Sequence, residues 1–105
     1  MSQSPTRLYG PAQLPNSATT LFTVPSSNTA IIKHLRVSNP TGGALTFTMS
    51  IGADAASTRI YSAVSIPAGG GIDLFVYYVI NQNEIVQALA SSASSLVLEL
   101  DGTQG

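Results

Sequence analysis

The apolar and polar positions of this chain form short runs separated by turn residues. Runs of this length, bounded by Gly, Pro, Asn and Ser, are typical of β-strands. The clearest is the run 44–51, where Leu45, Phe47, Met49 and Ile51 alternate with Thr and Ser. Such alternation indicates a half-buried antiparallel strand. The seven predicted strands cover residues 19–24, 29–39, 44–51, 58–66, 72–80, 84–90 and 96–101.

One of these runs also fits a helix. Residues 84–93 are rich in Ala, Glu, Gln and Leu, and Ile85, Ala88 and Leu89 have helical spacing. A strand is favoured, because Val86, Ala88 and Ala90 also alternate and the surrounding pattern is entirely β.

The seven strands have connections of hairpin length, which predicts an all-β fold with a single antiparallel β-sandwich. An immunoglobulin-like sandwich is the alternative, but the chain contains neither Cys nor Trp, on which the immunoglobulin signature depends. We therefore expect a jelly-roll-like arrangement. In the fourth strand, Ile60, Val64 and Ile66 share one face, with Arg59, Tyr61 and Ser65 opposite.

The N-terminal residues 1–17 lack a periodic apolar pattern and contain Pro5, Pro11 and Pro15. Proline fixes φ and removes a hydrogen-bond donor, so this segment is predicted to be an extended arm rather than a strand or helix. The predicted organisation is an extended N-terminal arm at 1–17 and a β-sandwich domain at 18–105.

The run 72–80 is apolar on both faces. In a sandwich, one face of each strand covers the core and the other normally meets water. An uncharged stretch such as 74–80 would promote aggregation if it were exposed. One interpretation is that the arm or a loop of the same chain covers the outer face. We favour a subunit interface, whose core would be apolar and poor in charge. The candidate partner-interface residues are Phe75, Tyr77 and Val79 on this strand and Arg7, Leu8 and Tyr9 on the arm.

The charge is low: 9% of the 105 residues are charged, 44% are hydrophobic, and the formal net charge is −1. Four basic residues argue against binding nucleic acid or an anionic membrane surface. No secretory signal is expected, since the first residues lack an apolar segment. Few like charges keep copies of the molecule apart, which suits a protein that packs against other proteins.

The residue types needed for catalysis are scarce, and we predict no enzyme activity, no catalytic residues and no cofactor. The chain has one histidine, His34, no Cys and no G-x-S-x-G motif. We interpret His34 as a solvated surface residue, with Lys33 and Arg36 on opposite faces of its strand. Metal-ligand motifs are absent from the sequence, and Asp54 is expected to stabilise a turn. Arg59 is interpreted as a solvated side chain, or as a partner for a carboxylate of another subunit.

The order of turns and strands resembles that of a known group of proteins. The segment TLFTVPSSNTAIIKHLRVSN is followed by SIGADAA, by IPAGG and by a final hairpin rich in Ala and Ser. Over residues 19–102 this order is similar to small all-β virion proteins of tailed bacteriophages, the capsid decoration (cement) and tail accessory proteins. The resemblance implies a non-enzymatic, oligomeric protein of the capsid or tail and carries over no catalytic residue.

The leading functional hypothesis is a capsid decoration protein that binds and stabilises the assembled head. Its expected partners are other virion proteins, most of all the major capsid protein, and further copies of itself, with a trimer favoured. Nucleic acid and membranes are not expected partners, and the expected location is the virion, assembled in the host cytoplasm. The alternatives are a tail, baseplate or fibre-attachment component, or a jelly-roll module that binds carbohydrate or a receptor. The last would use Asn81, Gln82 and Asn83 near Tyr77 and Tyr78.

Overall fold

The structure is a computed structural model that describes residues 4–105, and within that range it consists of β-strands and turns. All seven predicted strands are present, including the one over residues 85–90 for which a helix was the alternative. An eighth strand precedes them. The strands are β1 (Ser4–Gln13), β2 (Thr19–Thr23), β3 (Ala30–Ser38), β4 (Leu45–Ile51), β5 (Arg59–Ile66), β6 (Gly71–Ile80), β7 (Ile85–Ala90) and β8 (Val97–Gln104).

The strands form two four-stranded antiparallel sheets, one in the order β1-β8-β3-β6 and the other in the order β2-β7-β4-β5. The first strand pairs with the last, the second with the seventh, the third with the sixth and the fourth with the fifth. This is the pairing of one long hairpin rolled up on itself, with β4 and β5 at its tip. Eight strands in two sheets with this pairing form a jelly roll. The predicted fold class is therefore confirmed.

The N-terminal segment corrects the sequence prediction, because Ser4–Gln13 is a strand of the sheet and not an arm outside it. β1 is an edge strand paired only with β8. An edge strand tolerates proline, since the missing N–H can face away from its partner. Pro5 pairs with Thr103, and Pro11 falls in an irregular stretch of the register between Tyr9 and Ala12. The expected arm also contributes Leu14 to the core.

Side chains from both sheets fill the space between them. The largest fully buried ones include Phe47, Leu98 and Leu100, each with no exposed surface. The residues leading into and along β8 alternate in burial, since Leu96, Leu98 and Leu100 are all buried and the residues between them are partly exposed.

The second sheet departs from simple alternation. The polar residues Thr48 and Ser50 of β4 are nearly as buried as its apolar ones. Ser50 donates a hydrogen bond to Asp54 in the following loop (2.7 Å), and the Thr48 hydroxyl accepts one from the backbone N–H of Ala63 (3.0 Å). Ala63 has a positive φ of 49°, and the register of β5 against β4 shifts nearby.

This irregularity corrects the predicted position of Tyr61. It was expected to face outwards with Arg59, but it packs against the core, with its ring 5.7 Å from that of Phe47. Its hydroxyl lies 2.9 Å from that of Tyr78 on the other sheet, so the two tyrosines join the sheets near their open edges. Burial and the bond to Tyr78 raise the pKa of Tyr61.

Candidate protein-binding surface

The outer face of β6 presents a row of large exposed side chains. Phe75 is 89% exposed, Tyr77 is 67% exposed and Val79 is 46% exposed. We call these three residues the β6 patch. They alternate with Val76 and Tyr78, which pack against the core. Contrary to the interpretation that the same chain covers this face, neither β1 nor a loop within residues 4–105 shields the ring of Phe75.

The other three candidate interface residues lie at the opposite edge of the same sheet. Leu8 and Tyr9 are half-buried and pack against the chain's own core. Arg7 is exposed, and its guanidinium lies 3.5 Å from the Glu99 carboxylate. Two strands, β8 and β3, separate β1 from β6. The candidates thus form two sets, about 14 Å apart at the usual spacing between strands.

A network of charged groups connects these two edges across the outer face of the sheet. The imidazole of His34 contacts the Asp73 carboxylate through Nε2 and the Asp101 carboxylate through Nδ1, the latter at 3.3 Å. Arg36 lies 3.4 Å from Asp73 and 3.8 Å from Glu99. The contact from Arg7 to Glu99 completes a set of six side chains from four strands. We call this set the charge network: Arg7, His34, Arg36, Asp73, Glu99 and Asp101.

The network shifts the pKa of His34 and the pKa of Asp73. The hydrogen bonds from His34 to Asp73 and Asp101 raise the pKa of the imidazole, because both favour its protonated form. The bond from His34 lowers the pKa of Asp73, and the charge of Arg36 adds to this effect. His34 is therefore not the isolated solvated residue that the sequence suggested.

The amino-acid sequence did not predict this network, because the network depends on pairing between distant strands. Asp73 and Asp101 reach His34 from β6 and β8, and no local motif connects the three. The pairing scheme of a jelly roll could have found them, since it places β3 between these two strands. His34 then pairs with Phe75 on one side and Asp101 on the other.

The placement of Lys33 is a further correction. Strict alternation predicted that Lys33 and Arg36 point to opposite faces, yet both are exposed while Ile32 and Leu35 are fully buried. The inner face of β3 packs against the core, so both basic side chains lie on the outer face. A register shift between Ile32 and His34 accounts for this, because one extra residue of β3 faces β8 there.

The remaining candidate groups serve the fold. Arg59 donates two hydrogen bonds to Asp54, each of 3.0 Å, and so pairs within its own chain. This pairing and the bond from Ser50 lower the pKa of Asp54 to about 2. The expected turn-stabilising role of Asp54 is confirmed.

The residues considered for carbohydrate binding also hold a loop. Gln82 accepts a hydrogen bond from the backbone N–H of Ser27 (2.8 Å), and Asn83 accepts one from the Ser26 hydroxyl (3.0 Å). Two of the three polar side chains are thus directed at the neighbouring turn. Within residues 4–105 there is no enclosed pocket and no cluster of three or more potential metal ligands. The same range contains no helix that could cross a membrane.

Comparison with known proteins identifies the fold. No protein-family model and no curated protein matches the sequence. Among solved structures, the chain is similar to the structure of infectious bursal disease virus Gx strain, with a TM-score of 0.54 and 16% identity over 97% of this chain. It is also similar to the VP2 subviral particle of infectious bursal disease virus, with a TM-score of 0.47 and 13% identity over 98% of this chain.

The chain spans 32% and 31% of the lengths of those two viral chains. At these identities the likeness concerns the fold alone. The similarity is to a structure from infectious bursal disease virus and not specifically to a protein of tailed bacteriophages. The described residues of the chain thus form an all-β jelly-roll domain.

Proposed function

We propose that this chain is a non-enzymatic structural protein of a virion, and specifically a capsid decoration protein that binds and stabilises the assembled head. The observation that carries the proposal is the β6 patch, three large apolar or aromatic side chains on the edge strand of a capsid-like jelly roll. Exposed apolar clusters of this kind mark interfaces with other proteins.

The composition of the patch fits this role. An aromatic residue that becomes covered buries about 150–250 Å² of surface. Each Å² of apolar surface removed from water stabilises the complex by about 25 cal/mol. Covering Phe75 and Tyr77 would therefore stabilise a complex by several kcal/mol before the costs of association. Such a contact is modest for one copy, but repetition in a symmetric assembly multiplies its effect.

The mechanism differs from one that depends on a free N-terminal arm. β1 already pairs with β8 along its length, so Leu8 and Tyr9 stabilise the chain's own sheet. In the proposed mechanism, apolar burial at the β6 patch supplies the assembly energy. The expected partners are the major capsid protein and further copies of this chain, and the expected site of assembly is the host cytoplasm.

Sedimentation with purified viral particles tests this function. Particles assembled from the major capsid protein of the same virus, and separately its tails, are mixed with the full chain and pelleted. Phe75→Asp is compared with Ser65→Asp, which adds the same charge at an exposed position of β5 on the other sheet. We expect saturable binding to heads that Phe75→Asp weakens and Ser65→Asp does not. Binding to tails alone, or to neither, would overturn the decoration role.

A further inference from the structure

The four edge strands of the sandwich differ in how they are protected against pairing with other chains. Natural edges are usually short, or carry proline, bulges or charges. β1 contains Pro5 and Pro11, and β2 has only five residues with a register shift between Thr20 and Phe22. β5 is interrupted at Ala63 by its positive φ and by register shifts against β4. Three of the four edges are thus poor templates for a further strand.

β6 has fewer of these features, although its register against β3 also shifts between Phe75 and Tyr78. It is ten residues long, contains no proline, and carries one charged residue, Asp73. The Asp73 carboxylate contacts His34 and Arg36 of the same chain. From Phe75 to Ile80, more exposed and less exposed residues alternate regularly. In the described residues β6 pairs only with β3, so its other edge has no strand partner.

We infer that this edge pairs with the β6 strand of a second copy of the chain, in antiparallel orientation about a two-fold axis. The β1-β8-β3-β6 sheets of the two copies would then form one continuous eight-stranded sheet. The inference deepens the proposed function by naming one partner of the β6 strand, a second copy of the chain, and it rests on that function only in treating this strand as part of an interface.

The strand pattern restricts the register of this pairing. Side chains directly opposite each other in an antiparallel pair lie on the same face, so residues of the patch must meet residues of the patch. A two-fold axis through Val76 satisfies this condition and pairs residues 72–80 of both copies. Phe75 of each copy then faces Tyr77 of the other, and Asp73 faces Val79. In this register the distance between the two Asp73 carboxylates is larger than in a register with the two-fold axis through Phe75.

The chemistry of the strand favours a second copy over an unrelated partner. A two-fold contact needs a surface that complements itself, and β6 offers aromatic and apolar groups with no like charges in opposition. The strand edges and the facing sides of the patch side chains would bury less than about 1,000 Å² in total, which is the size of a weak interface. A contact of this size predicts a dimer that dissociates on dilution.

The test introduces a negative or a positive charge at Val79, the position that this register places opposite Asp73 of the other copy. Val79→Asp would face Asp73 of the other copy and repel it, whereas Val79→Lys would face the same carboxylate and attract it. The mass of the full chain and of both variants is measured by light scattering behind a sizing column over a range of concentrations. Circular dichroism and thermal unfolding establish that both variants are folded.

We expect the natural chain to approach twice its 10.8 kDa mass at high concentration. Val79→Asp should weaken self-association by about tenfold or more, while Val79→Lys should retain it at low salt and lose it at high salt. A monomer at all concentrations, or a trimer, would overturn the inference, and equal losses in both variants would overturn the register. A dimer that fails to bind heads would reject the decoration role alone, and a monomer that binds heads would reject the dimer alone.

Discussion

The ring of Phe75 lies 5.1 Å from the imidazole of His34, at an interplanar angle of 37°, although Phe75 is 89% exposed. The most exposed aromatic residue of the β6 patch therefore rests on the histidine at the centre of the charge network. The two residues are paired across β3 and β6. A change in the charge of His34 on protonation therefore takes place next to the Phe75 ring.

The first prediction concerns pH. The pKa of His34 is raised in the folded state above its ordinary value of 6.5 by Asp73 and Asp101. Stability from the protonated imidazole is therefore fully present below the unfolded-state pKa and is lost as the pH rises through the folded-state pKa. We expect a higher Tm at about pH 5.5 than at about pH 8.5, measured by thermal unfolding.

The control for this prediction is His34→Gln, which does not titrate in this range. The decrease in Tm between the two pH values should become smaller in this variant. An equally large decrease in His34→Gln would show that another group causes the pH dependence.

The second prediction compares two phenylalanines in opposite environments. Phe47 is fully buried between the sheets, and its replacement by Ala leaves a cavity that costs about 3–5 kcal/mol. Phe75→Ala removes the same atoms from the surface and should cost less than about 1 kcal/mol. Thermal or urea unfolding should show a Tm lower by at least about 10 °C for Phe47→Ala alone. Similar losses in both variants would contradict the difference in burial between Phe47 and Phe75.

The third prediction concerns a close approach of two strands. A Cβ atom on Gly102 of β8 would lie 1.8 Å from the carbonyl oxygen of Ile31 on β3, so the backbone would have to move. Gly102→Ala should therefore be strongly destabilising. Gly42→Ala is the matched control, since a Cβ there meets nothing within 4 Å. Unfolding in urea should show a marked decrease in midpoint for the first variant and little change for the second.

The fourth prediction concerns a buried amide. Asn39 is 1% exposed and donates hydrogen bonds to the carbonyl oxygens of Gly43 (2.8 Å) and Ile66 (3.0 Å), while its own side-chain oxygen accepts from Thr41. A carboxylate cannot donate, so Asn39→Asp should cost about 2–3 kcal/mol or more near neutral pH.

Acidification should reduce the cost of Asn39→Asp, because a protonated carboxyl group can donate one hydrogen bond. Urea unfolding at neutral and acidic pH measures both effects. The exposed Asn81→Asp is the control, and an equal loss of stability in that variant would refute the role assigned to the buried amide.

The sequence predicted most of the fold because most strands alternate and end at turn residues. It missed β1 because proline argues against a strand unless the strand is known to lie at an edge, and edge position is a property of the whole sheet. It misplaced Tyr61 and Lys33 because an irregularity of one residue reverses the face of a side chain. The turn at Ala63 and the shift beside His34 have no recognisable local sequence signal.

The candidate site was predictable in part. The exposure of Phe75, Tyr77 and Val79 was predictable because both faces of their strand are apolar. The core can cover only one of these two faces. The assignment of Leu8 and Tyr9 to a neighbouring subunit did not anticipate that β8 and the core of the same chain would hold them. The charge network required the pairing of three strands, which composition and spacing do not provide.

The rolled pairing of the strands also determines the order in which the molecule can form. Ser4 pairs with Gln104, so the first strand has no partner until nearly the whole described chain has left the ribosome. Until then Leu8 and Tyr9 remain exposed to solvent, and only the β4–β5 hairpin can close locally. Pairing between such distant segments slows folding, typically to milliseconds or seconds. During synthesis, the N-terminal strand is therefore the part of the molecule most open to capture by a chaperone or by the β8 strand of a neighbouring chain.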